Sequence, residues 1–418
     1  MKSAQDNRRS FLKKNAAGIA GIAVGKTLSP GRVLGANERI NIASIGCGGR
    51  GSHLMQLALK FSRELNVSIT GVADVWKPAI EKNAAILKEQ TGRNPVASQR
   101  YRDLLNHKDV DAVIIATPDF AHSPILAEAA GAGKHAYVEK PMATNMRDAN
   151  AAVDAVVKNN IVCQVGTQRR SSIAQQNGKK LIQSNILGVI SEVECCYNRN
   201  TPSWRRGFSD IKQQDVDWKQ YLMDLPEESF NPRRYRCWHL YEDFTNGLAG
   251  LLGAHVIDVP LWYMDDPLPS CGVALGGNLV WGGDRELADT MEALYLYPKG
   301  FMVRFVSRLG NSHGGSEVVF RGTNGSFDTG SLTATGEGGA GDDQITKPIQ
   351  AEGAENAGDW ADATAHMRNW LECIRADNPK TNADVHAGYA HSVAAILAYQ
   401  SIKTGRRLAY DAQTRQLE

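Results

Sequence analysis

The residues Gly46-Cys47-Gly48-Gly49-Arg50-Gly51 follow an apolar run that starts at Arg39, and their spacing suits a phosphate. A chain that passes from strand to helix needs a tight turn at Gly46. It needs bare backbone at Gly48, where a pyrophosphate approaches, and no side chain at Gly51, where helix and strand touch. Gly49 and Arg50 complete the loop, and the helix beyond it turns free N–H groups and a positive dipole end toward the anion. A second apolar run, NVSITGVADVW, reaches Asp74. A carboxylate there accepts from both hydroxyls of an adenosine ribose and repels a 2′-phosphate, which favours NAD over NADP. Capping of the next helix is the other reading of the same residue.

A different chemistry gathers further along. Asn231–Gly247, NPRRYRCWHLYEDFTNG, concentrates Arg, Trp, His, Tyr and acids, and Trp204, Arg205 and Arg206 repeat the mixture. Aromatic faces beside forked or charged groups suit a sugar, with its apolar ring faces and fringe of hydroxyls. Trp238 and His239 are the candidate ligands of that stretch. GTQRR at Gly166–Arg170 ends a strand and adds Gln168 and Arg169 to the same cleft. Ordinary loop anchoring accounts for such residues equally well.

The elements that must carry these groups alternate. Helices are expected at Ser52–Arg63 and Lys77–Gln90, with strands up to Asp74 and at Ala112–Ala116 and Lys134–Glu139. Alternation of this kind gives a parallel sheet with right-handed crossovers. Strands with two-residue periodicity follow at Glu192–Tyr197, Met291–Tyr297, Phe301–Ser307 and Glu317–Arg321. The Gly- and acid-rich residues 330–358 read as a surface excursion. Asp359–Arg375 and Asp384–Lys403 read as amphipathic helices that pack back on the first sheet.

These segments resemble the Gfo/Idh/MocA family, which includes glucose–fructose oxidoreductase and inositol 2-dehydrogenase. The resemblance is carried by IGCGGRG, GVADVW, YRDLLNHKDVDAVIIATPDFAHSPI, KHAYVEKPMATN and GTNGSF, in that order between residue 39 and Phe327. It implies an α/β protein: a Rossmann domain, drawn at 37–160, and a second α/β domain, drawn at 161–418, with a large open, mostly antiparallel sheet. One face of that sheet would meet the nicotinamide and the sheet would join copies of the chain in a homo-oligomer. The resemblance also places Thr117, Pro118, His122 and Glu139 at the cofactor and sends Lys140 to the substrate hydroxyl. A partly desolvated lysine beside a positive ring has a lowered pKa and can relay a proton. The family pattern Asp-x-Gly-x-His-x-x-Asp reads here as Leu251, Gly253, His255 and Asp258. It makes His255 a proton acceptor or substrate ligand and puts Asp258 beside the substrate. Leu251 stands where a carboxylate is usual, with Glu242, Asp243 or Asp258 as candidate substitutes.

The chain has 418 residues and a formal charge of +2, but seven Lys/Arg and one acid fall in residues 1–36. The remainder is mildly acidic and lacks a basic patch with interleaved aromatics, so nucleic acid is not an expected partner. Seven scattered cysteines show no CxxC and no zinc-like spacing, so no metal is expected. NRRSFLK at Asn7–Lys13, followed by the short apolar run Ala16–Val24, reads as a twin-arginine export signal over residues 1–36. The expected partners are therefore the twin-arginine machinery and a sugar or polyol, and the expected location is the periplasm. Three functions stand open: an NAD-dependent oxidoreductase that moves hydride from a secondary alcohol, a glycosidase or lyase that oxidises its sugar transiently, and a non-catalytic sugar-binding relative. A bound NAD carried out of the cytoplasm would have to be recycled in place.

Overall fold

The computed structural model describes residues 39–337, 345–356 and 359–418, so the stretch read as an export signal lies outside the described residues. Strands and helices alternate: β1 (Ile40–Ile45), α1 (Gly49–Leu59), β2 (Val67–Ala73), α2 (Lys77–Thr91), β3 (Val96–Ser98), α3 (Tyr101–Leu105), β4 (Ala112–Ile115), α4 (Asp119–Gly131), β5 (His135–Val138), α5 (Met146–Asn159) and β6 (Cys163–Val165). The six strands are parallel in the order β3-β2-β1-β4-β5-β6. Helices cover both faces, which is why Ile42, Ala43, Val113 and Ile114 are buried whichever way they point. The strand order reverses at β1, and a crevice opens beyond the carboxyl ends of β1 and β4. Helix α1 begins at Gly49, earlier than its apolar periodicity suggests, because the glycines of the turn join its first turn.

The second layer contains α6 (Ile173–Gln183), β7 (Ile190–Asn198), α7 (Trp218–Leu222), α8 (Pro232–Arg236), a π-helical turn at Ala249–Gly253 and α9 (Ala254–Tyr263). Strands β8 (Cys271–Gly277), β9 (Thr290–Leu296), β10 (Met302–Arg308), β11 (Ser316–Gly322), β12 (Gly325–Asp328), β13 (Thr333–Gly336) and β14 (Ile349–Gln350) follow. Helices α10 (Asp359–Arg375) and α11 (Val385–Thr404) precede β15 (Leu408–Asp411) and β16 (Gln416–Leu417). The ten strands run β14-β13-β12-β11-β7-β10-β9-β8-β15-β16, and only β7 and β10 pair in parallel. Alternation decides the faces: Met291, Ala293 and Tyr295 point inward with Phe305 and Phe320, against apolar residues of α9 and α11.

The described part of residues 330–358 differs from its reading as a surface excursion. Leu332, Ala334, Ile345 and Ala351 are buried, and β13 and β14 extend the sheet, because apolar residues are interspersed among the glycines. Helix α10 returns to the first sheet, where Met367 and Trp370 pack with Ile40, Leu54 and Ile114. Helix α11 serves both layers, with Val393 and Ile396 on the first core and Ala394 and Leu397 on the second.

Between β7 and the π-helical turn the chain leaves its sheet and crosses to the first domain. Val216 forms an antiparallel bridge to Trp76, and the Asp217 N–H donates to the Val75 carbonyl at 2.9 Å. The Arg236 guanidinium lies 4.8 Å from the centre of the Trp76 ring. Tyr221 packs edge-on against Phe120 of α4 and Phe244. This strap passes over the β2–α2 end of the crevice.

Candidate active site

A single cleft of 1330 Å³ contains the glycine turn, the carboxyl ends of β1, β2, β4 and β5, the strap and the start of α9. Gly46 has φ +89°, a left-handed conformation that favours glycine. A Cβ on Gly51 would lie 1.9 Å from the Gly46 carbonyl oxygen, so α1 approaches the turn as only glycine allows. At Gly48 and Gly49 a Cβ would meet no atom within 4 Å, which leaves the loop backbone open to the cleft. Asp74 accepts from the Cys47 N–H at 2.7 Å and the Trp76 N–H at 2.9 Å. Its carboxylate both fixes the glycine turn and lines the cleft. Burial pushes its pKa up against the pull of the two N–H donors.

Thr117 and Pro118 follow β4 in the cleft wall. The hydroxyls of Thr117 and Thr167 are buried without a hydrogen-bond partner among the described residues. Free backbone at Gly48 and Gly49, a carboxylate at the end of β2 and two orphaned hydroxyls at the strand ends together fit a dinucleotide laid across the switch point. His122 departs from its expected role. Its ring nitrogens face the Pro141 carbonyl at 2.8 Å and the Thr117 carbonyl at 2.9 Å, and the neutral ring donates to one of them, so both nitrogens are turned to the protein backbone.

Lys140 stands on a loop held from two sides. The Ser123 hydroxyl donates to the Met142 carbonyl at 2.6 Å, and the Ala143 N–H donates to the Ser392 hydroxyl of α11 at 3.1 Å. Glu139 accepts from Arg50 Nε at 2.7 Å. Gln168 donates to the Tyr137 hydroxyl at 3.0 Å beside the same wall. The Lys140 ammonium instead donates to the Leu251 carbonyl at 2.9 Å, within the π-helical turn. The position that lacks the usual carboxylate therefore still meets the lysine, through its backbone. Burial lowers the Lys140 pKa, against the opposing charges of Asp119 and Glu139.

His255 enters the cleft at the start of α9, its ring 5.9 Å from that of Tyr197. Burial, then the charges of Lys140 and Arg169, hold it well below the usual histidine range, so it is neutral at physiological pH. Asp258 is a second departure. Arg170 takes both its oxygens at 2.8 Å, so the carboxylate is spent within the protein and is not offered to a substrate. Burial pushes Asp258 up, but Arg170 overcomes this and holds it at about 2. Glu242 accepts from Lys403 at 2.5 Å, and Asp243 pairs with Arg234; neither lines the cleft. Sequence reasoning missed the acid that does face Lys140. Asp119, the first residue of α4, is buried, accepts from the Thr245 hydroxyl at 2.7 Å and is pushed up to about 7 by burial. Its place in ATPDFAH, next to a strand end, was the available signal.

The aromatic stretch forms the opposite wall. His239 lies between two indoles, with ring centres 3.6 Å from Trp238 and 5.5 Å from Trp204. Its Nδ1 is buried with no hydrogen-bond partner among the described residues. Arg206 and Arg169 line the cleft, whereas Arg205 bends away to the carbonyls of Trp281 and Gly282.

Two family models match the chain: an oxidoreductase family NAD-binding Rossmann fold over residues 40–167 and an oxidoreductase family C-terminal alpha/beta domain over residues 225–410. A glycosyl hydrolase family 109 protein of Shewanella sp. strain ANA-3 is 28% identical over 236 residues, 48% of this chain and 50% of that one. Levoglucosan dehydrogenase of Pseudarthrobacter phenanthrenivorans is 28% identical over 241 residues, 54% of this chain and 57% of its own. The chain thus spans about half the length of the curated relatives it matches. The solved complex of a levoglucosan dehydrogenase with NADH and levoglucosan superposes with TM-score 0.67 at 18% identity, covering 89% of this chain and 99% of that one. Aldose-aldose oxidoreductase from Caulobacter crescentus, solved with glycerol, gives TM-score 0.65 at 17% identity over 89% and 100% of the two chains. The two domains, matched in order across most of the sequence, place this chain in the Gfo/Idh/MocA family of NAD-dependent oxidoreductases.

Proposed function

We propose that this protein oxidises a sugar, polyol or glycoside at a secondary alcohol carbon, with NAD held against the glycine turn, Asp74, Thr117 and Thr167. The observation that carries this reading is the meeting of Lys140 and His255 in the same cleft as that turn. When bound, NAD supplies the hydride acceptor. Lys140, its pKa lowered by burial, takes the hydroxyl proton as the alcohol is oxidised. The Leu251 carbonyl aims the Lys140 ammonium, while neutral His255 is available to accept a hydrogen bond from the same hydroxyl. Trp204 and Trp238 offer apolar surface to the ring, and Arg169 adds a donor.

A second reading is favoured by the relatives: one is a glycosyl hydrolase family 109 protein. In that reading the oxidised sugar loses its aglycone by elimination and the hydride returns. The test is a panel of sugars and aryl glycosides added to the nucleotide-loaded protein, followed by absorbance of the reduced nicotinamide and by release of the aglycone. Reduction without release supports simple oxidation, and release without net reduction supports the second reading. Neither signal with any member would overturn both.

Export by the twin-arginine route to the periplasm belongs to the same reading, supported by the NRRSFLK stretch. So does a homo-oligomer formed through the outer face of the ten-stranded sheet. Val273, Leu275, Leu294, Leu296 and Met302 are exposed there, and Val273 and Leu294 are register partners. Sedimentation equilibrium checks it: Leu275→Glu with Leu294→Glu should convert the oligomer to a monomer.

A further inference from the structure

One corner of the cleft holds more positive charge than the protein itself balances. Arg169, just past β6, donates to the Ser316 hydroxyl at 3.2 Å. Arg199 continues the face of β7 that carries Val193, Cys195 and Tyr197; it donates to the Tyr197 hydroxyl at 3.0 Å and lies 5.1 Å from that ring's centre. Ser316 is the register partner of Tyr197, so the two guanidiniums bond to side chains at adjacent positions on neighbouring strands β11 and β7. Neither meets a carboxylate among the described residues. Elsewhere in this cleft Arg50 is matched by Glu139 and Arg236 by Asp210, and Arg170 behind the wall is matched by Asp258, while Arg206 also meets no carboxylate among the described residues.

The corner adjoins the reacting groups. Tyr197 touches the His255 ring, and, after burial, Arg169 is among the charges that lower His255, as Arg199 is for Lys140. Two unpaired guanidiniums beside a base that must give up its proton form a site whose balance comes from the ligand. A planar guanidinium fork matches a carboxylate with two parallel hydrogen bonds, a geometry that neutral hydroxyls do not reproduce.

We propose that the substrate is a uronic acid or its glycoside, whose carboxylate sits between Arg169 and Arg199 against the Tyr197 hydroxyl. This rests on the sugar reading above and narrows it to acidic sugars. The hydroxyl to be oxidised then lies toward Lys140 and His255, and the ring toward the indoles of Trp204 and Trp238.

The experiment is calorimetric titration of the nucleotide-loaded full chain with matched pairs of methyl glycosides: glucuronide and glucoside, galacturonide and galactoside, and the corresponding 6-sulfates. One uronide should bind about 10- to 100-fold more tightly than its neutral partner, the scale of a charged hydrogen-bonded contact. Arg199→Met should reduce that preference to a few-fold at unchanged melting temperature, and Arg199→Lys should restore part of it. Equal affinity for the neutral partner overturns the proposal and leaves the sugar reading standing. Tighter binding of a 6-sulfate overturns the carboxylate assignment. Binding of no sugar overturns the sugar reading and this proposal with it.

Discussion

Lys140 owes its chemistry to its neighbours more than to its identity. A solvated lysine remains charged at physiological pH and makes a poor base; burial favours the neutral amine, and Asp119 and Glu139 moderate the effect. Lys140→Met should therefore leave nucleotide binding close to wild type while turnover falls by about 10²-fold or more. Nucleotide titration and steady-state rates separate the two effects. Because the neutral amine is the working form, oxidation should rise with pH as Lys140 loses its proton, below the ordinary lysine range. Asp119 raises the Lys140 pKa when ionised, so Asp119→Asn should move the midpoint of that rise to lower pH. A pH–rate profile with an unmoved midpoint would remove Asp119 from this role. The sequence displayed Lys140 and His255 through their motifs. It did not display the partner of Lys140, because that partner is the Leu251 carbonyl, and a backbone oxygen leaves no trace in residue identity.

Elements fix these distances through buried polar ties that bridge distant parts of the chain. Arg170 beyond β6 and Asp258 on α9 form one such tie, with both oxygens of a 2%-exposed carboxylate engaged. Asp258→Asn leaves Arg170 buried and unpaired, and should cost about 3–5 kcal/mol in chemical denaturation. The folded pKa of about 2 lies below the ordinary aspartate value, so this contribution is present above roughly pH 4 and is lost as pH falls toward 2. Wild type should lose more stability across that acid window than Asp258→Asn does. Local pattern was enough to place the helix at Asp359–Arg375, whose periodicity and flanks agree with α10. It was not enough for the π-helical turn or for β13 and β14. A turn with one extra residue disturbs a 3.6-residue period, and strands of four and two residues are too short to show an alternation.

At the scale of the molecule, the strap and the amino-terminal stretch bear on one problem. Under the proposed export, the enzyme would meet no free NAD to replace one that it loses. The strap joins the second domain to the first at the β2–α2 end of the cleft, by the Trp76–Val216 bridge and by Gln99, whose amide donates to the Asp215 carbonyl at 3.4 Å. Tyr221 and Tyr235 pack against one another in the same cover and line the cleft. Neither family match covers residues 168–224, which include the first part of the strap. Such a cover should slow the departure of a bound nucleotide, and differences in affinity lie mostly in that rate. The full chain, recovered from an exported fraction and washed free of small molecules, should still release about one NAD per chain when denatured. Substituting Val216 and Asp217 by Gly should weaken the bridge and speed nucleotide loss, read by the same assay over time. An exported protein that carries no nucleotide and works only when NAD is supplied would overturn retention, and with it the need to recycle the hydride in place.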